Sequence, residues 1–212
     1  MITLHLLRHG ETVWHAENRY AGVTDVQLTD RGRAQAQALS PWARDAAIDV
    51  VATSDLTRAT LTAQVVATAA GVPLVVDSRL REVDFGRAEG LTRDEMRREF
   101  PHDLEAFLAK PASTPLPQGE MGSLAVNRGW ASVADAVRGV GDGATIAVVA
   151  HTTLIRLMLC AAMGIPLDDY RRRFPRLENT ALTTLTLPRV FDPLEPIAAA
   201  SLLRYNAPAV VV

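Results

Sequence analysis

The sequence predicts an α/β protein, with a mostly parallel central sheet covered by helices on both faces, three layers in all. Three observations predict it. Short apolar runs rich in β-formers alternate with longer helix-patterned stretches, the order that parallel sheets require. Cap and stop residues punctuate them, such as Thr29 before one helix and Gly71 after another. The 212 residues, 48% hydrophobic and 22% charged, suffice for one core without disulfide or metal staples, which excludes fibrous, disordered and disulfide-scaffold classes.

Ile2 to Leu7 reads as a buried strand. Thr29 to Ala47, rich in Ala, Gln and Arg, reads as a helix capped by Thr29, with Ala34, Ala38 and Leu39 toward a core; Pro41 breaks or restarts it. Asp49 to Thr53 is a second strand, and Ser54 or Asp55 caps a helix running to about Ala70. Val72 to Val76 and Ala144 to Ala150 are further strands. Thr152 to Met163 is a helix ended by Gly164 and Pro166, and Ala181 to Leu187 and Ile197 to Tyr205 are late strands. From Leu91 to Val126 the pattern changes. Helical pieces at Arg93 to Phe100 and Asp103 to Ala109 give way to a Pro-rich stretch at 111–117. One domain over 1–212 with a small helical insertion at 91–126, placed to cover a site, is expected. The apolar tail from Pro208 to Val212 reads as poorly ordered.

Lys+Arg number 22 against 24 Asp+Glu, a formal net charge of −2, which argues against a dedicated nucleic-acid binder. Lys110 is the only lysine, so the positive charge is almost all arginine. Cys160 is the only cysteine, so no intrachain disulfide forms, and its apolar surroundings read as core. The apolar stretch from Ile146 to Leu167 is broken by His151 and Arg156, so no membrane span is expected. No secretory pattern is visible at Met1, and a cytoplasmic location is the expectation.

Ligands of open α/β sheets sit beyond the carboxyl ends of the strands. There the chain carries Arg8-His9-Gly10-Glu11-Thr12, then Ser54-Asp55-Leu56-Thr57-Arg58, then Arg81-Glu82, then His151-Thr152. Two arginines suit a phosphoryl dianion. A histidine among arginines stays neutral and nucleophilic, because like charge disfavours its protonated form. Its attack on phosphorus would give a phosphohistidine. A second histidine can donate to an equatorial oxygen. A glutamate can protonate the leaving oxygen and then take a proton from water. This chemistry calls for no cofactor and no metal. No Gly-rich loop with a following lysine is present, which removes a P-loop NTPase.

Leu7-Arg8-His9-Gly10-Glu11-Thr12 resembles the signature of the histidine phosphatase superfamily, the phosphoglycerate mutase-like fold. Ser54 to Ala59, Leu80 to Gly86 and Val148 to His151 resemble its second arginine motif, acid segment and second histidine, in the family's order. The resemblance implies His9 as the phosphorylated nucleophile, Arg8 and Arg58 as ligands of the phosphoryl oxygens, His151 completing that set, and Glu82 as general acid and base. Three places depart from the pattern. His15 stands where the family usually has Asn, and Thr152 where it has Gly. Gln118 to Ser123 is a degraded form of a Gly-Gly-Glu-Ser segment. His15 and the Thr152 backbone N–H are still expected to contact substrate phosphate.

Glu82-Val83-Asp84-Phe85-Gly86 resembles the phosphatase branch more than the cofactor-dependent mutases, which carry a Glu-Arg-His-Tyr-Gly type segment and a longer basic insertion. Here Arg93, Arg97 and Arg98 read as a solvated face. The expected function is a metal-independent phosphomonoester phosphatase acting on a small organic phosphate. The alternatives are a bisphosphoglycerate-dependent phosphoglycerate mutase and a catalytically weak phosphate-binding member. The expected partner is a small phosphate ester, with no nucleic acid and no membrane; the family is compatible with a homodimer. Among the other polar residues, His5 reads as a satisfied buried histidine and His102 as surface. Arg171 to Arg173 with Arg176 read as a solvated face, with a contact for an anionic substrate or a subunit partner as the alternative. Trp14 reads as a cavity floor or core, and Glu89-Gly90-Leu91 as a turn. The resemblance implies that Glu178-Asn179-Thr180, before a late strand, is a polar turn approaching the site, and Glu11 stays outside the catalytic set.

Overall fold

The computed structural model describes residues 1–192 and 200–209. Strand β1 (Ile2–Arg8) leads through a long loop to α1 (Asp30–Gln37) and α2 (Ser40–Asp45). Then come β2 (Val50–Thr53), α3 (Thr57–Ala70) and β3 (Leu74–Val76). A helical pair follows, α4 (Arg93–Glu99) and α5 (Pro101–Ala109), and then the long α6 (Gly122–Arg138). The chain closes with β4 (Thr145–Ala150), α7 (Thr152–Ala162), α8 (Tyr170–Arg173), β5 (Leu182–Leu187) and β6 (Ser201–Ala207).

The six strands form one sheet in the order β3-β2-β4-β1-β5-β6. The first four are mutually parallel; β5 runs antiparallel to β1, and β6 to β5. Side chains alternate across a strand, and here the alternation sorts them into two cores. Ile2, Leu4, Leu6, Ile146 and Val148 pack beneath α6 and α7. Leu7, Val51, Ala147 and Val149 pack on the opposite face with Leu39, Trp42, Ala59 and Val66 of α2, α3 and the link before them. The three-layer α/β/α architecture expected from the sequence is what the chain adopts.

Local details differ from the expectations. Ala34 and Ala38 are exposed, while Gly32, Ala36 and Leu39 are buried. The inward face of α1 runs one turn from Gly32 to Ala36, and the restart at Pro41 resets the phase. Neither Ser54 nor Asp55 caps α3. The Thr57 N–H at its start donates instead to Asp25 Oδ1 at 2.8 Å. Helix α6 carries no sequence signal strong enough to announce it, because Gly122, Asn127 and Gly129 weaken its helical pattern. Its buried face, Val126, Trp130, Val133 and Val137, makes it a central core element. Gly129 is what lets α6 approach α7, since a Cβ there would lie 2.8 Å from Met158 Sδ. The last five residues of the 91–126 span belong to this helix. Ser201 to Tyr205 of the expected last strand lie in β6; its residues 197–199 and the tail residues 210–212 lie outside the described residues. No described helix is long and apolar enough to cross a membrane.

Candidate active site

The site is assembled at the carboxyl edge of the sheet. β1 and β4 are parallel neighbours in register, with Arg8 opposite Ala150, so Arg8-His9 and His151 emerge side by side. The His9 N–H donates to Ala150 O at 3.1 Å, and the His9 and His151 ring centroids stand 5.1 Å apart. Beyond His9 the chain crosses α1 at two glycines. A Cβ on Gly10 would meet Gly32 O at 2.3 Å, and one on Gly32 would meet Glu11 O at 2.0 Å. That crossing seats the loop after β1 directly on α1.

A cavity of about 710 Å³ opens over this edge. Arg8, His9, His15, Glu82, Thr152 and Thr153 line it, together with Trp14, Tyr20, Arg156, Tyr170 and Arg171. A second concavity, about 680 Å³ between α1, α2 and α3, holds none of the candidate residues.

His9 is 6% exposed, and its Nδ1 lies 2.7 Å from Gly10 O. A carbonyl can only accept, so Nδ1 carries the hydrogen and Nε2 keeps its lone pair. Burial first, then the charges of Arg58 and Arg8, hold His9 well below the ordinary imidazole value, so the ring is neutral at neutral pH.

Arg8 donates to Leu177 O at 2.6 Å and approaches His15 Nε2 at 2.6 Å, while its buried Nε has no partner. His15 therefore takes part in the site through Arg8. Its Nδ1 sits against Thr12, 2.8 Å from Oγ1 and 3.0 Å from the backbone N–H. The Asn179 amide donates to His9 O at 2.8 Å and lies 3.4 Å from His15 Nε2. The turn 178–180 thus reaches the site, as the family resemblance implied.

Arg58 and His151 are both fully buried. Arg58 donates through Nη1 to Thr24 O at 2.8 Å, through Nη2 to Gly22 O at 2.6 Å, and through Nε to His151 Nδ1 at 3.3 Å. One N–H remains on each terminal nitrogen. With Nδ1 accepting, His151 Nε2 donates to Ser54 Oγ at 2.8 Å. Both of its ring nitrogens are engaged by protein, Nδ1 with Arg58 and Nε2 with Ser54. Burial, and then Arg58, pull His151 far below the ordinary value. Glu89 shapes the loop that Arg58 grips. It accepts from the Val23 and Thr24 N–H groups at 2.8 and 2.7 Å and from the Thr24 hydroxyl.

Glu82 is 3% exposed and faces the start of α7. Its Oε1 accepts from Val83 N at 2.9 Å and Leu154 N at 2.8 Å, and its Oε2 from Thr153 N at 2.9 Å. The helix N-terminus that the sequence offered to phosphate through Thr152 is largely occupied by this carboxylate, because Thr153 and Leu154 carry its next N–H groups. Thr152 lines the cavity beside it.

Elsewhere the expectations divide. His5 is satisfied by Thr184 Oγ1 at 2.9 Å and packs edge-on to Trp42, and His102 is exposed. Trp14 does line the cavity. Arg172, Arg173 and Arg176 are solvated, but Arg171 is turned inward against Phe107 and Tyr170, at 4.7 and 5.4 Å from ring centre to Cζ. Arg93, expected on a solvated face, is exposed yet stands on the cavity rim. Ser54, Glu89, Arg156 and Tyr170 carried no sequence signal for the site, since each reads locally as a cap, a turn or a helix-face residue. No cluster of three metal-ligating side chains occurs among the described residues.

A family model described as histidine phosphatase superfamily (branch 1) matches residues 4–190. Phosphoserine phosphatase 1 of Hydrogenobacter thermophilus is 31% identical over 170 residues, 80% of each chain. A probable phosphoglycerate mutase, GpmB, of Erwinia tasmaniensis is 32% identical over 183 residues, covering 86% of this chain and 84% of its own. A mycobacterial glucosyl-3-phosphoglycerate phosphatase solved with vanadate superposes with a TM-score of 0.84 at 27% identity, covering 97% of this chain and 98% of its own.

Proposed function

We propose that this chain, which belongs to the histidine phosphatase superfamily (branch 1), hydrolyses small phosphomonoesters through a phosphohistidine at His9. Three kinds of support converge. The family match spans 4–190, relatives of similar length bear phosphatase names, and the cavity holds a neutral imidazole among arginines. The observation that carries the reading is the 2.7 Å bond from His9 Nδ1 to Gly10 O, which presents Nε2 as the nucleophile.

The reaction then runs as follows. The phosphoryl oxygens take the N–H groups of Arg8, with the remaining N–H groups of Arg58 behind them. His9 Nε2 attacks phosphorus in line with the ester oxygen. Glu82 gives that oxygen a proton as the P–O bond breaks. Oε2, with one N–H partner against two on Oε1, is the oxygen with room for that proton. The alcohol leaves, water enters, and Glu82 takes its proton as it attacks the phosphohistidine. Phosphate departs and His9 returns to neutrality. His151 and Ser54 hold Arg58 in place throughout. His15 positions Arg8, and Thr152 lines the phosphoryl end.

The test is phosphate release from nitrophenyl phosphate and from alkyl phosphates with chelator present, by the unaltered protein and by His9→Ala. Turnover that persists without metal and vanishes in the variant is expected. Undiminished turnover in His9→Ala would overturn the mechanism. The name of the Erwinia relative supplies the competing reading. Isomerisation of 3-phosphoglycerate dependent on 2,3-bisphosphoglycerate, with little free phosphate, would favour it. A cytoplasmic location and a homodimeric state are part of the same proposal; size-exclusion mass measurement tests the latter.

A further inference from the structure

Eight arginines of the described residues are not exposed, and they fall into two sets. Arg19, Arg79, Arg81 and Arg128 each pair with a carboxylate at 2.5–2.9 Å. Arg8, Arg58, Arg156 and Arg171 pair with none within 4 Å. The reaction proposed above uses Arg8 and Arg58. It leaves Arg156 and Arg171 unaccounted for.

Those two come from different elements, α7 and α8, and meet over one aromatic ring. Arg156 Cζ stands 4.8 Å and Arg171 Cζ 5.4 Å from the centre of Tyr170. Arg171 bears on Arg156 as a like charge. Two desolvated cations facing one ring are unfavourable unless an anion shared between them offsets the repulsion. The acidic residues of the rim are engaged elsewhere: Glu17 with Arg19 at 2.7 Å, and Asp94 with Arg97 at 2.5 Å. Two buried side-chain nitrogens among the described residues lack a partner, Arg8 Nε and Arg156 Nε. Both arginines line the same cavity, as does Arg171.

We infer that Arg156 and Arg171 form a second oxyanion subsite, so that the preferred substrates carry a second anionic group, a carboxylate or a second phosphoryl, on the leaving alcohol. This rests on the phosphatase reading above and specifies its substrate class. Tyr170 faces both guanidinium groups and Phe107 that of Arg171; Arg171 Nε donates to Tyr170 OH at 3.0 Å and Nη2 lies 3.5 Å from Tyr20 OH, which leaves Arg171 Nη1 and the Arg156 edge, whose Nε has no partner, for the ligand. An ester held at both ends is oriented for attack, whereas a neutral alcohol is held only by its phosphoryl.

The test compares kcat/KM within matched pairs of esters. One arm sets phosphoserine against phosphoethanolamine and 3-phosphoglycerate against glycerol 3-phosphate; the other sets propanediol bisphosphate against its monophosphate. A preference of at least about tenfold for the doubly anionic member is expected in one arm, which identifies the oxyanion. That preference should collapse in Arg156→Gln and Arg171→Gln and survive in part in Arg171→Lys. The ratio normalises for the shared phosphoryl step. If both Gln variants fail to fold, the unaltered protein still decides. Ratios near one in both arms, with nitrophenyl phosphate hydrolysed, would overturn the subsite alone. Absent hydrolysis of nitrophenyl phosphate and of every ester would overturn the phosphatase reading itself.

Discussion

Arg8 Nη2 and His15 Nε2 lie 2.6 Å apart, so the guanidinium that should receive the phosphoryl group is held by an imidazole. Arg8 only donates, so His15 Nε2 accepts from it, while Nδ1 faces Thr12, 3.0 Å from its backbone N–H and 2.8 Å from its hydroxyl. A substrate oxygen must compete with that lone pair for the Arg8 N–H. Breaking one such bond costs about 0.5–1.5 kcal/mol net. Replacing His15 with Asn, whose amide can donate to the oxyanion, should lower KM for phosphate esters by roughly 2–10-fold. Steady-state kinetics and the inhibition constant of inorganic phosphate check this. An unchanged or raised KM would remove His15 from the Arg8 linkage.

The buried, arginine-flanked His9 should remain neutral far into the acid range. The acid limb of kcat/KM is therefore expected below the ordinary imidazole value of about 6.5. Mixing enzyme with substrate and quenching in alkali should trap an acid-labile, base-stable phosphoryl adduct. His9→Ala should abolish the adduct and lower turnover by roughly 10³-fold or more.

Glu82→Gln should slow hydrolysis of alkyl phosphates by about 10²–10⁴-fold and that of nitrophenyl phosphate much less, because a good leaving group needs no proton. The same change sets an amide N–H₂ against one of the backbone donors that Glu82 now accepts. A stability loss of about 1–3 kcal/mol should accompany it, read from urea unfolding. Equal rate losses for both ester types would argue against Glu82 as the acid.

Gly32→Ala tests the crossing of the loop after β1 over α1. Its Cβ would stand 2.0 Å from Glu11 O, so backbone must move. A destabilisation of about 1–3 kcal/mol is expected, with turnover lost beyond what unfolding explains, because the shift displaces His9. Thermal melting alongside kcat at a temperature where the variant is folded separates the two effects.

Acid should destabilise the fold through its buried histidines. Burial first, then Arg204, lowers His5 to about 4, and burial first, then Arg8, lowers His15 to about 4. Below about 6.5 the unfolded chain takes up protons that the folded chain refuses, so stability falls as pH drops from there toward 4. His5→Gln lies away from the site and should reduce that slope by up to one proton, measured by urea titrations between pH 7 and pH 4.5.

Much of this was legible in one dimension. The alternation of apolar runs with helical stretches dictates a parallel sheet, and a parallel sheet brings strand ends to one edge. His9, Arg8, Arg58, Glu82 and His151 could therefore be named from order and type alone, as could the cap at Thr29 and the stop at Gly71. Other features depend on contacts between segments far apart in the chain. Ser54 reads as a helix cap until its hydroxyl is found 2.8 Å from His151, 97 positions away. Three consecutive arginines at 171–173 present the same chemistry to any local reading. Only Phe107 and Tyr170 packing around Arg171 turns one of them into the cavity while its neighbours stay in water. Residue type and periodicity determine which elements form and which chemistry is on hand. The direction in which a long charged side chain points, and whether a carboxylate meets it, is decided by tertiary packing, because the free energies that choose between those arrangements arise from segments the local sequence does not contain.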